Sequence, residues 1–209
     1  MTFVDRLDAA RRLAARLSPY RCRNPLVLGI PRGAVPMARL IAQELGGEVD
    51  VVLVRKLRAP GNPEFAVGAI EESGWAFIAP HARDAGADDA YLEREKQTQM
   101  ETIRRRRIEY TAHRPRIDPA GRLAIVVDDG LATGATMIAA LHALRGQVVQ
   151  ELVCAVPLAP PDTIERVTPY ADHVICLETP ADFQAVGQFY REFRQVEDEE
   201  VVACLESAG

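Results

Sequence analysis

What most constrains this chain is a series of short, nearly unbroken apolar runs: residues 26–30 (LVLGI), 49–54 (VDVVLV), 123–127 (LAIVV), 148–156 (VVQELVCAV) and 173–177 (HVICL). A strand with one wet face alternates apolar and polar residues. A run without that alternation needs cover on both faces, as strands have inside a parallel sheet. Helical patterns lie between the runs. Phe3, Val4, Leu7, Ala10, Ala14 and Leu17 recur at helical spacing until Ser18-Pro19 stops them. Residues 36–45 read as a helix closed by Gly46-Gly47, 89–112 as one long charged helix, and 161–167 as a short one, with another helix running from the Gly/Thr-rich loop after 127 to about Leu144. Residues 56–64 read as a Pro/Gly loop, and 65–78 as strand-like around a Ser73-Gly74 turn. Strand–helix alternation of this kind predicts an α/β fold, a mostly parallel central sheet flanked by helices.

With 209 residues, no repeat and no low-complexity linker, one domain spanning 1–209 is the simplest organisation. Its core is expected at about 20–177. The tail from about 178 changes texture, and reads as a small C-terminal hood to which the N-terminal helix can belong. A net charge of −5 argues against nucleic acid as a partner, because phosphate backbones reward clustered Lys and Arg, yet it leaves a small anionic ligand open. No apolar stretch approaches the ~20 residues of a membrane span, and the charged N-terminus lacks the apolar centre of a signal peptide, so a cytoplasmic protein is expected. The four cysteines are scattered, and Cys154 and Cys176 sit in apolar runs where buried free thiols are expected. His81, His113, His142 and His173 show no metal-ligand spacing, so no structural zinc is expected.

Ligands of open α/β sheets bind beyond the carboxyl ends of the strands, which directs attention to the loops after Ile30, Val54, Val127 and Val156. After Val127 comes Asp128-Asp129-Gly130-Leu131-Ala132-Thr133-Gly134-Ala135-Thr136, opening a helix. Two adjacent carboxylates at a strand end can accept hydrogen bonds from both hydroxyls of a ribose. The small residues and threonines behind them bring N–H groups and hydroxyls around a phosphate at a helix N-terminus, where the helix dipole favours an anion. An ordinary turn with a capped helix is the plainer alternative. No Gly-Lys-Ser/Thr follows, so a Walker A loop is excluded; the pieces do not form G-x-G-x-x-G, and no G-x-S-x-G marks an α/β hydrolase.

Residues 126–137, VVDDGLATGATM, closely resemble the phosphoribosyl diphosphate (PRPP) signature of type I phosphoribosyltransferases, above all the D-D-x-L-A-T-G-x-T form of the adenine enzymes. The resemblance implies that Asp128 and Asp129 hold the ribose hydroxyls, with Gly130 and Leu131 carrying the turn. It also implies that Ala132, Thr133, Gly134, Ala135 and Thr136 surround the 5-phosphate. Gly130 departs from the family, which usually has an aliphatic residue there, and a looser turn is expected. Pro31, Arg32 and Gly33 resemble the family's diphosphate loop, where backbone amides and a strained peptide contact the leaving group. Lys56, flanked by Arg55 and Arg58, stands where the family places a diphosphate-neutralising cation. Residues 59–70 resemble its flexible closing loop, which excludes water during reaction. The wording K-L-x-x-P-x-N-P-E-x-A-x-G-A-I over 56–70 is similar to an uncharacterised bacterial branch of the family.

In the tail, residues 182–190 (DFQAVGQFY) resemble, with one residue too many, the F-x-V-G hood element of hypoxanthine-type enzymes. Phe183, Phe189 and Tyr190 are therefore candidates for stacking on a base, with plain packing of the hood as the alternative. Arg104, Arg105, Arg106 and Arg107 lie on the long helix among several glutamates, and read as a solvated, salt-bridged face or dimer surface, though some family members send an arginine from this region into a neighbour's site. The resemblance implies a Mg²⁺-dependent transfer of phosphoribosyl from PRPP to a small nitrogenous base by a homodimer. Mg²⁺ would be carried by PRPP oxygens and water, with Asp128 and Asp129 as the adjoining carboxylates. The rival is a protein of the same fold that senses PRPP or nucleotides without turnover. Six-oxopurine enzymes have an aspartate where this chain has Ala132, which turns the expectation away from hypoxanthine and guanine.

Overall fold

The computed structural model describes residues 2–112 and 115–206; His113 lies outside them, as does the side chain of Glu64. Helix α1 (Arg6–Arg16) starts where the Asp5 carboxylate accepts from the Asp8 N–H at 2.7 Å, and it buries Ala9, Ala10, Leu13 and Ala14. Strand β1 (Leu26–Gly29) leads into α2 (Val35–Leu45), which ends at Gly46 in a left-handed conformation. Then follow β2 (Glu48–Val51), β3 (Val54–Ala59), β4 (Asn62–Glu71), β5 (Ala76–Ile78), α3 (Asp89–Tyr110), β6 (Leu123–Val127), α4 (Ala135–Arg145), β7 (Glu151–Leu158), α5 (Pro161–Val167), β8 (His173–Glu178) and α6 (Asp198–Glu206).

Five strands form the parallel sheet anticipated from the apolar runs, in the order β2-β1-β6-β7-β8. Its faces read directly from β6: Leu123, Ile125 and Val127 pack with α1 and α2, while Ala124 and Val126 pack with α4. The chain leaves β1 first for β2 on one side, and later enters β6 on the other. The C-terminal ends of β1 and β6 are therefore the switch point, where loops diverge and leave a crevice.

Three local readings are corrected. The run 49–54 is not one strand: β2 ends at Val51, still paired with Gly29, and β3 begins at Val54 in a second sheet, with Leu53 between them buried in the cluster shared with α3 and α6. The Pro/Gly segment 56–64 is not a loop, and the residues after it to Glu71 are strand. They form an antiparallel hairpin of β3 and β4, with a turn at Pro60-Gly61 and β5 added after the Ser73-Gly74 turn. Strand β7 starts at Glu151, because Val148 turns the chain at a positive φ.

The tail folds back on the N-terminus. The Thr2 and Phe3 N–H groups donate to the Phe189 carbonyl at 3.0 Å, and Glu192 N–H donates to the Val4 carbonyl at 2.9 Å. Phe3 and Tyr190 pack ring to ring at 5.4 Å. Helix α6 then lies against α2 and α3, burying Val201 and Leu205. Among the described residues no helix is long and apolar enough to cross a membrane. All four cysteines are free, and burial pushes the Cys154 thiol well up and that of Cys176 to about 11.

Candidate active site

Beyond Val127 the chain turns sharply. Asp129 N–H donates to the Asp128 carboxylate at 2.9 Å, and Leu131 N–H donates to the Leu158 carbonyl at 3.0 Å, so the turn is docked on the end of β7. Gly130 has φ +154°. A side chain there would come within 2.8 Å of Val186 Cγ1 and 3.1 Å of Leu158 Cδ1. The space of the family's aliphatic residue is thus filled from the tail, and the looser turn anticipated at Gly130 is a packed one. The Thr163 hydroxyl donates to the Ala132 carbonyl at 2.8 Å, and Arg166 Nη1 donates to that of Thr133 at 2.8 Å. With those carbonyls held by α5, the first N–H groups of α4, which lack intrahelical partners, and the adjoining threonines remain for an anion.

This turn forms one wall of a cavity of about 450 Å³ at the switch point. Pro31, Arg32, Gly33, Lys56, Asp128, Asp129, Gly130, Leu131, Ala132, Thr133, Gly134 and Thr136 all line it, together with Arg55 and Arg58. Ala135 does not: it faces a neighbouring hollow of about 660 Å³ behind the turn, which Phe183 also lines. Phe189 reaches neither of these two spaces, but packs on Phe183 at 5.4 Å and against the core. The aromatic ring that borders the cavity is Phe193, beside Val186. Tyr190 is buried, its hydroxyl donating to the Asp129 carbonyl at 2.7 Å.

Charge is unevenly distributed. Burial pushes the Asp128 carboxyl well above the usual carboxylate range, and the neighbouring charge of Asp129 adds to this. Asp129 is raised by burial too, but the cation of Arg6 opposes the shift. Arg6 Nε donates to Asp129 Oδ2 at 2.8 Å across 123 positions of sequence, a partner that no local pattern announces. Lys56 and Arg58 are exposed toward the cavity from β3, while Arg55 donates to Gln99 at 3.0 Å, and its proton affinity is lowered by burial and then by Arg106. The Pro31–Arg32 peptide is cis. Arg32 is not a solvated loop residue: its Nη1 lies 3.2 Å from Glu197 and 3.3 Å from Asp198, at the start of α6. The arginine run on α3, read as a solvated, salt-bridged face or dimer surface, divides between exposed and paired residues. Arg104 and Arg105 are exposed, Arg106 faces Asp198 at 3.7 Å, and Arg107 grips Glu72 with two donors.

No cluster of three or more His, Cys, Asp or Glu side chains suited to a metal occurs among the described residues. A divalent cation would therefore draw most of its ligands from a bound substrate and water. The carboxylate pair, half-buried and only partly balanced by Arg6 and Lys56, fits such an ion.

A parallel sheet with acid pair, helix N-terminus and cationic strand converging on its switch point defines the class: an open α/β protein with a charge-rich crevice at the carboxyl ends of its strands. The chain belongs to the phosphoribosyl transferase domain family, whose pattern matches residues 4–194. It is 44% identical over 207 residues to a Mycobacterium tuberculosis (strain H37Rv) protein carrying the provisional name of phosphoribosyl transferase; the match covers 99% of this chain and 47% of that one. The chain thus spans about half the length of the curated relatives it matches most fully. The adenine phosphoribosyltransferase of Roseiflexus castenholzii is 32% identical over 125 residues, covering 54% of this chain and 70% of that enzyme. The crystal structure of TT1426 from Thermus thermophilus is similar over 100% of this chain and 99% of its own, with 46% identity and a TM-score of 0.82.

Proposed function

We propose that this protein is a Mg²⁺-dependent phosphoribosyltransferase that moves the 5-phosphoribosyl group of PRPP to a nitrogen of a small base. The bond from C1 to the diphosphate oxygen breaks, a C1–N bond forms, and the base nitrogen gives up its proton to solvent. The observation that carries this reading is the convergence of Asp128 and Asp129, the turn at 130–134 and Lys56 on one cavity. Asp128 and Asp129 accept the ribose hydroxyls, which fixes C1. The start of α4, with the Thr133 and Thr136 hydroxyls, holds the 5-phosphate, and charge–dipole attraction there needs no rearrangement during reaction. Lys56, Arg58 and the 31–33 loop stabilise the departing diphosphate. Arg32 takes part to the extent that Glu197 and Asp198 release it. When bound, Mg²⁺ supplies charge neutralisation of the diphosphate.

The acceptor comes from the side of Val186 and Phe193, the tail residues that border the cavity. Phe193, not Phe189, borders the cavity, but its ring already carries the Arg6 guanidinium at 3.8 Å and the Tyr190 ring at 4.9 Å, so it offers an acceptor contact and not a free stacking face; Phe183 stacks only if the adjoining hollow takes part. Ala132 offers no carboxylate to an incoming base, which favours acceptors other than hypoxanthine and guanine. The reading includes a role in purine salvage, a single domain with a tail-and-α1 hood, a cytoplasmic location and a homodimer; sedimentation of the purified chain tests the last. The function itself is tested by diphosphate release from PRPP and Mg²⁺ with a panel of bases. Release with at least one base supports transfer, while tight PRPP binding without release from any base supports a sensor of the same fold.

A further inference from the structure

Arg6 is held more firmly than a surface ion pair requires. Its Nε donates to Asp129 Oδ2 at 2.8 Å, its Nη1 donates to the Arg194 carbonyl at 2.6 Å, and its guanidinium lies 3.8 Å over the Phe193 ring. Its side chain is only 13% exposed, although Leu7 beside it in the first turn of α1 is exposed. The partner on the other side is equally confined. A side chain at Gly33 would collide with Asp129 Oδ2 and come within 2.9 Å of Arg6 Nε, and the Tyr190 hydroxyl holds the Asp129 backbone carbonyl at 2.7 Å. Segments from both ends of the chain therefore meet on a single residue. A carboxylate has about four lone-pair positions, so a guanidinium on Oδ2 orients it without exhausting it.

We infer that Arg6 is a positioning residue for sugar recognition: it fixes the Asp129 carboxylate in the orientation that receives a ribose hydroxyl. The inference rests on the transferase reading of this cavity, and goes beyond it by giving α1 a defined part in the site. Arg6 lines the cavity, but its cation is spent on Asp129, so its influence should fall chiefly on the sugar's hydroxyls, over and above any uniform effect of its charge on the phosphate. A planar guanidinium locked by a ring, a carbonyl and a carboxylate is not matched by an ammonium, which keeps charge but lacks the fork.

The experiment measures, by calorimetry, binding of ribose 5-phosphate and its 2-deoxy and 3-deoxy analogues to the parent, Arg6→Gln and Arg6→Lys, with Arg12→Gln as the α1 control. Arg6→Gln is expected to bind ribose 5-phosphate about ten- to hundredfold more weakly, the range of one charge-assisted hydrogen bond. It should also discriminate less between ribose 5-phosphate and at least one deoxy analogue. Arg6→Lys should recover part of both, and Arg12→Gln should match the parent. In turnover with PRPP the loss should fall mainly on KM. Parent-like affinity and discrimination in Arg6→Gln would overturn the role of Arg6, as would a uniform loss on all three sugars, which marks a structural effect. If Arg6→Gln does not fold, Phe193→Leu, which removes the ring under the guanidinium, must show the same hydroxyl-dependent loss, and its absence counts against the inference. A parent that binds neither ribose 5-phosphate nor PRPP overturns the reading of the cavity itself, a result distinguishable from all of these.

Discussion

Asp128 carries a proton more readily than an exposed carboxyl because the surrounding protein partly desolvates it and Asp129 stands beside it. A carboxyl whose proton affinity rises on folding contributes stability below its unfolded value, near 3.8, and that contribution is lost as pH rises through the higher folded value. At neutral pH an ionised Asp128 therefore costs stability that binding must recover. Asp128→Asn is expected to raise the Tm at pH 7 by about 2–4 °C, the effect of roughly 1 kcal/mol in a chain of this size, with the gain shrinking below the folded value. The same variant should lose PRPP binding, so thermal scans across pH, paired with calorimetry, check both directions. Two residues on, Gly130 has no room for a side chain beside Val186 and Leu158. Gly130→Ala should cost about 1–3 kcal/mol in chemical denaturation, from overpacking and an unfavourable φ. Adding Val186→Ala should restore only the packing part.

Among the elements, the β3–β4 hairpin lines the cavity with Lys56 and Arg58, whereas α6 reaches it only through Arg32. Helix α6 begins with Glu197 and Asp198 on Arg32, while Asp198 also receives the Tyr110 hydroxyl and faces Arg106. Burial and that hydrogen bond raise the proton affinity of the Tyr110 phenol, so it stays a donor over the working pH range. On the transferase reading, Glu197 and Asp198 compete with a diphosphate for Arg32. Glu197→Gln combined with Asp198→Asn is therefore expected to lower the KM for PRPP about two- to fivefold, the scale of exposed ion pairs, while lowering the Tm. Steady-state kinetics with PRPP varied, together with a thermal scan, checks the pair of effects. The hairpin presents Lys56 and Arg58 toward the cavity while Leu57 and Ala59 are buried, an arrangement that the strand's side-chain alternation imposes. Pro60, Gly61 and Pro63 have the local texture of a loop. They become strand and turn only once β4 is seen pairing with β3.

For the molecule as a whole, a net charge of −5 coexists with a cavity bordered by the cations Arg55, Lys56 and Arg58. Such local fields attract small anions and are screened by salt. Raising ionic strength from about 0.05 M to about 0.5 M is expected to raise the KM for PRPP roughly three- to tenfold, since the Debye length shrinks below the width of the cavity. A KM insensitive to salt would place the binding energy in the turn and carboxylates instead. The order β2-β1-β6-β7-β8 makes this possible by setting the ends of β1 and β6 side by side, so that loops at 30–33 and 128–134 share one crevice.

The parallel sheet, most helices and the acid-pair turn were legible before any coordinates, because each is written in neighbouring residues: an unbroken apolar run, a helical period, two aspartates before a Thr-Gly turn. What meets those parts was not legible, and came from packing alone. Packing put Arg6 on Asp129, Val186 over Gly130, Glu197 and Asp198 on Arg32, and Phe193 in place of Phe189 at the cavity. These contacts join residues far apart in the chain, and their partners are charged or apolar side chains that look locally like any others. Local pattern sets the backbone path of each element, while distant pairing depends on how the elements pack, which no short stretch of sequence encodes.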